Sequence, residues 1–154
     1  MRTFITAVSA FICLALPAGA QTAKEVAGTY RLEYETRESN GVKTEVHTNG
    51  VLMLDETGHY TLVTIANGLP KIASNNRMTA TPDESKAITA GVVAHYGSFA
   101  VSGDTLIFKI ERASFPNWDG SEQKRPFALA GDDLITRAVS SGGDSVTLNW
   151  KRVK

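Results

Sequence analysis

From Gly28 onward the apolar positions recur at every second residue, the period of a strand with one buried face. Tyr30, Leu32 and Tyr34 share one face of the segment 28–36, and Arg31, Glu33 and Glu35 share the other. The same alternation sets Leu106, Phe108 and Ile110 against Lys109 and Glu111, and puts Val146, Leu148 and Trp150 on one face of 145–153. Turn residues separate these segments: Ser39-Asn40-Gly41, Asn49-Gly50, Thr57-Gly58, Gly103-Asp104, Gly131-Asp132 and the run 140–144. Asn49-Gly50 is the strongest hairpin signal, because both residues accept positive φ. It predicts that a strand over 43–48 turns there into a strand over 51–55. Further strands are expected over 59–65, 99–102, 105–112, 122–129 and 134–139. Pro126 lacks an N–H for the ladder, which predicts a bulge or a sheet edge at that point.

One segment breaks the period. After a loop over 67–80, Thr81 can cap a helix, Pro82 suits the first helical position, and Glu84 completes a capping box. Ile88, Gly91, Val92 and His95 follow at i, i+3, i+4 and i+7, which predicts a helix whose apolar stripe carries His95, with Gly97 either ending it or opening the next strand.

About nine strands, nearly all joined by tight turns, place the chain in the all-β class. They favour an antiparallel up-and-down barrel of about eight to nine strands, with one mid-chain α-helix, over a Greek-key sandwich. Closure removes the sheet edges, and a barrel of that size can hold one small ligand. Arg152 has the inward parity of Val146, Leu148 and Trp150. Closure brings it beside the first strand, where its guanidinium would stack on Tyr30 or Trp150 and plug one end.

The amino terminus follows a different logic. Arg2 precedes a mostly apolar run over 4–17, and Ala18-Gly19-Ala20 fits a small-x-small cleavage pattern. Residues 1–20 therefore read as a signal peptide and 21–154 as a single barrel domain. The apolar run is too short to span a membrane as a helix, which needs about 20 residues. Export to the periplasm or the medium is expected. The chain's one Cys, Cys13, lies in the leader behind Phe11-Ile12, unlike a lipoprotein site, so the mature domain has no disulfide and must be held by burial. A chain of this length buries about two-thirds of its unfolded surface, enough for one core.

Without Arg2 the chain carries 15 basic and 16 acidic residues, with no run of like charge. That balance gives no support to nucleic-acid binding or to adhesion on acidic membranes. His47, His59 and His95 stand at no metal-ligand spacing, and neither a G-x-S-x-G element nor a Gly-rich phosphate loop occurs. No cofactor is expected.

The most informative motif is Ser114-Phe115-Pro116-Asn117-Trp118, with Gln123, Arg125 and Phe127 at alternate positions after the Asp119-Gly120 turn. Two aromatics around a rigid Pro make a loop held by packing, the kind that carries recognition. Together with Gly28-Thr29-Tyr30-Arg31-Leu32, Gly58-His59-Tyr60, His95-Tyr96-Gly97-Ser98-Phe99, Gly131-Asp132-Asp133-Leu134 and 148–152, it resembles the lipocalin-like domain family, in its small bacterial and fungal branch. Gly28-x-Tyr30 is similar to the Gly-x-Trp element of lipocalins with Tyr in place of Trp. The mid-chain helix and the lack of disulfides depart from the transport lipocalins. The resemblance implies a barrel with a cavity, suggests small apolar ligands and brings no catalytic residues to carry over.

The candidate ligand-binding residues are Tyr34, Tyr60, His95, Phe108, Trp118 and Arg125. Tyr34, Tyr60 and Phe108 have inward parity and are either aromatic cavity wall or plain core. His95 is either a hydrogen-bonded core side chain or a polar contact or general base at a pocket rim. Trp118 and Arg125 either line one end of a cavity or pack the loop onto the barrel. The leading expectation is non-covalent binding of a small apolar or amphipathic molecule. The alternatives are a cyclase, isomerase or hydrolase on the same barrel, or a structural envelope protein with a filled interior.

Overall fold

A computed structural model describes residues 22–154, so the proposed signal peptide lies outside the described residues. A one-turn helix α1 (Ala23–Val26) leads into β1 (Gly28–Ser39), β2 (Val42–Val46), β3 (Thr48–Leu54) and β4 (His59–Ala66). Helix α2 (Pro82–Gly91) leads into β5 (Val92–Ser102), β6 (Thr105–Ala113), β7 (Glu122–Ala130), β8 (Asp133–Val139) and β9 (Ser145–Arg152). Pairing runs β1-β3-β4-β5-β6-β7-β8-β9, all antiparallel, and β9 returns to β1 from Tyr30↔Arg152 to Glu38↔Ser145. The result is a closed, up-and-down barrel of eight strands, with β2 as an extra strand beside the far half of β1. Among the described residues no helix is long and apolar enough to cross a membrane.

Local chemistry explains most of the turns. Asn40 and Gly41 take φ of 50° and 77° in a two-residue loop between paired Ser39 and Val42, the conformation a tight hairpin needs. Asn49-Gly50 is not a turn. Both residues lie inside β3, opposite Ile65 and Thr64 of β4. Gly50 serves close packing instead, since a Cβ there would stand 3.0 Å from Leu32 Cβ and 3.0 Å from Thr64 Cγ2. Pro126 sits at neither a bulge nor an edge. It pairs with Thr105 at the end of the β6 ladder, just before the β8 ladder starts at Phe127↔Thr136, where a missing donor costs least.

Helix α2 has the expected capping box: Thr81 Oγ1 accepts from Glu84 N at 3.2 Å, and Glu84 Oε2 accepts from Thr81 N at 2.8 Å. It ends at Gly91, however, and β5 begins at once. The stripe drawn through Ile88, Gly91, Val92 and His95 therefore spans two elements, and His95 is a strand residue.

One end of the barrel is shut. Val26 of α1 is fully buried and its carbonyl accepts from Tyr30 Oη at 2.8 Å. Arg152 lies with its guanidinium carbon 4.8 Å from the Tyr30 ring centroid, and it donates to the carbonyls of Ala27 and Glu25. Above this plug Tyr30, Leu52, Leu106, Phe108, Leu134 and Trp150 fill the interior. Each such side chain contributes about 1.5–3 kcal/mol on burial.

Candidate functional site

The opposite end is open. There α2 enters β5, the Ser114–Trp118 loop joins β6 to β7, and the turn over 140–144 joins β8 to β9. A cavity of about 130 Å³ opens between them, walled by Leu62, Val93, Val146 and Leu148 and carrying Glu35, Arg37, Thr64, Gln123 and Arg125 as its polar groups. Trp118 and Ala90, near the end of α2, form its rim. Apolar walls with a few converging polar groups are the usual make-up of a small-molecule site.

The loop that carries Trp118 is pinned by its own polar residues. Ser114 Oγ accepts from Ala94 N at 3.0 Å and donates to Val92 O at 3.3 Å, tying the loop to β5. Asp119 accepts from Ala113 N at 2.8 Å and from Arg112 Nη1 at 2.9 Å. Pro116–Trp118 forms a single 3-10 turn, and Phe115 meets Trp118 edge-on at 5.4 Å. Trp118 in turn stands perpendicular to His95, with ring centroids 6.0 Å apart.

Beneath the cavity runs a buried hydrogen-bonded row. Arg125 Nη2 donates to Gln123 Oε1 at 2.8 Å and to His95 Nε2 at 3.1 Å. A guanidinium can only donate, so the bond network assigns the imidazole proton to Nδ1, which donates to Tyr60 Oη at 2.8 Å. Arg125 also lies over Phe108, 5.2 Å from its centroid, and Phe108 packs against Tyr60 at 4.4 Å. Burial, reinforced by the Arg125 charge, pushes the His95 imidazole down to about 3. Burial raises the Tyr60 phenol and lowers the Arg125 guanidinium to about 10, which keeps it charged at neutral pH. With both ring nitrogens engaged and burial holding its imidazole neutral, His95 is poorly placed to take up a proton from a substrate at neutral pH. Its part is to hold Arg125.

Of the six candidates, Trp118 and Arg125 line the cavity, and His95, Tyr60 and Phe108 form the layer that supports Arg125. Tyr34 is a correction. The β1–β9 register slips between Leu32 and Tyr34, and a one-residue slip turns every later side chain to the other face. Tyr34 is 44% exposed, whereas Glu35, read as surface, is 3% exposed and lines the cavity. Glu35 Oε1 accepts from Arg37 Nε at 2.7 Å. No Gly or Pro marks the bulge, so the alternation past Leu32 could not reveal it. Thr64 and Gln123 were accessible to the period-two rule, since Thr64 continues the Tyr60-Leu62 face and Gln123 the Arg125-Phe127 face.

Comparison with other proteins adds the family. No curated protein matches the chain. Among solved structures, a redesigned β-barrel aligns over 88% of this chain and 98% of its own, at 12% identity and a TM-score of 0.47. Residues 27–153, nearly all of the described barrel, match the family model for the lipocalin-like domain, and the chain belongs to that family.

Proposed function

We propose that this protein is exported and binds a small, partly apolar molecule non-covalently at the open mouth of its barrel. The observation that carries this reading is the contrast between the two ends. Large side chains fill the interior toward the plugged base, yet at the mouth a space of about 130 Å³ is left between apolar walls and polar side chains. That is room for a molecule of roughly ten non-hydrogen atoms. Apolar burial would supply affinity at ~25 cal/mol per Å² removed from water. Arg125, Gln123 and Thr64 would orient the ligand. A proton-transfer reaction on this barrel would need a base other than His95.

Native mass spectrometry of the protein purified from its own host, followed by organic extraction, tests the reading. A reproducible bound mass of the size the cavity admits supports it. A protein that is bare as isolated, and that takes up no member of a panel of small amphiphiles, sinks it. The same spectra test export, because removal of residues 1–20 leaves a mature chain that starts at Gln21.

A further inference from the structure

We infer that the ligand of the mouth cavity is an anion, a small carboxylic acid ionised at neutral pH, and that Arg125 is its anchor. This rests on the cavity-binding reading and narrows it. Arg125 is only 5% exposed, yet among the described residues no carboxylate forms an ion pair with it. Its neighbours are an amide oxygen, an imidazole nitrogen and the face of Phe108. These orient the guanidinium without neutralising it. Among the described residues both of its hydrogen bonds leave Nη2, and Nε is enclosed without a partner. Native proteins rarely leave a buried cation and a buried donor unmatched unless something else completes them.

The cavity's charge points the same way. Glu35 is already matched by Arg37, so the charged groups of the wall sum to one unpaired positive charge, on Arg125. Gln123 spends its carbonyl oxygen on Arg125, which leaves its amide NH₂ to donate. Thr64 adds a hydroxyl to the same wall. One cation, one amide donor and one hydroxyl beside Leu62, Val93, Val146 and Leu148 suit an oxyanion head on a short apolar tail. His95 and Tyr60 are positioning residues here, holding the guanidinium plane from below.

The test uses acid–amide pairs that share a tail and differ in head charge: hexanoate with hexanamide, and 3-phenylpropanoate with 3-phenylpropanamide. Each is titrated calorimetrically at pH 7 into the mature protein. The expected result is that the acid of at least one pair binds roughly tenfold to a hundredfold more tightly than its amide, the range a desolvated charge-assisted contact supplies. Arg125→Met should bring that pair to within about threefold, because it removes the charge that only the acid engages. If acid and amide bind equally in every pair that binds, the anion inference falls and the cavity reading stands. If neither member of any pair binds at millimolar concentration, the anion inference falls, and the native mass spectra decide the cavity reading. Should Arg125→Met fail to fold, Arg125→Gln and the acid-to-amide ratio of the unaltered protein decide the question.

Discussion

His95 Nε2 lies 3.1 Å from Arg125 Nη2, and only a neutral imidazole can accept that bond. The consequence is a stability that depends on pH. An unfolded histidine binds a proton below about 6.5, whereas His95 in the barrel resists protonation down to about 3. Between these values the unfolded chain carries the extra proton, so acidification favours unfolding. The stability present above pH 6.5 is lost at about 1.4 kcal/mol per unit as pH falls toward 3. Urea unfolding at pH 7 and pH 5 should therefore differ by roughly 2 kcal/mol, a window above the range where the paired carboxylates titrate. His95→Gln should flatten the slope, and the His95 ring resonances should not move between pH 8 and pH 5. A His95 signal that titrates near 6.5 would contradict the neutral, bonded ring.

The stack of Arg152 on Tyr30 predicts a separate kind of sensitivity. Tyr30→Phe removes the donor to the buried Val26 carbonyl and should cost about 1–2 kcal/mol. Arg152→Ala removes the cation over the ring and the two bonds to the carbonyls of Glu25 and Ala27, and should cost about 1–3 kcal/mol. Denaturant midpoints measure both. The base lies at the far end of the barrel from the cavity, so the folded variants should keep any ligand affinity the unaltered protein has. A loss of affinity in folded Arg152→Ala would mean that the two ends are coupled.

How much of this was legible in the chain depends on where a rule is local. The capping box at Thr81 and Glu84, the turn at Asn40-Gly41 and the inward faces of β6 and β9 obey chemistry confined to a few residues, and they stand as read. An inward Arg152 beside the first strand followed from parity plus closure, which left Tyr30 and Trp150 as the candidate rings; the guanidinium lies on Tyr30. The misreadings arise where a distant neighbour decides. Gly50 looks like half of a turn, yet Leu32 and Thr64 press on it from adjacent strands. His95 fits a helical stripe only by coincidence of spacing; the period-two burial of His95, Gly97 and Phe99 is the signal that places it on a strand. Glu35 and Tyr34 exchange faces because of a bulge in the β1–β9 pairing that no residue announces. The cavity itself is space left over by packing, which no alternation rule can count.

Trp118 offers an optical handle on the mouth. The chain has two tryptophans. Trp150 is buried in the core, with its Nε1 donating to Thr136 Oγ1 at 3.0 Å, whereas Trp118 lines the cavity. Ligand uptake should change the fluorescence of Trp118 and leave that of Trp150 unaltered. The expected outcome is a saturable change in the unaltered protein that is absent in Trp118→Phe, although calorimetry still detects binding there. A change of equal size in Trp118→Phe would place the ligand elsewhere.

Arg125 sets binding against stability, and that conflict is open to measurement. A buried cation without a counter-ion costs several kcal/mol of desolvation, and the bonds to Gln123 and His95 and the face of Phe108 offset only part of it. Methionine has a similar length and no charge. Arg125→Met leaves the oxygen of Gln123 without its donor, but that side chain lines the open cavity and can turn to water. The imidazole of His95 also loses a donor, at a cost of about 1–3 kcal/mol. The removed desolvation outweighs these losses, so the denaturant midpoint of Arg125→Met should be no lower than that of the unaltered protein. Arg125→Lys, which keeps the charge and loses the planar guanidinium over the Phe108 ring, should be the less stable of the two variants. A Met variant several kcal/mol weaker than the unaltered protein would mean that Arg125 is there to hold the barrel together. A Met variant as stable or more stable, and blind to carboxylates, would mean that the chain keeps a costly residue because of what it binds.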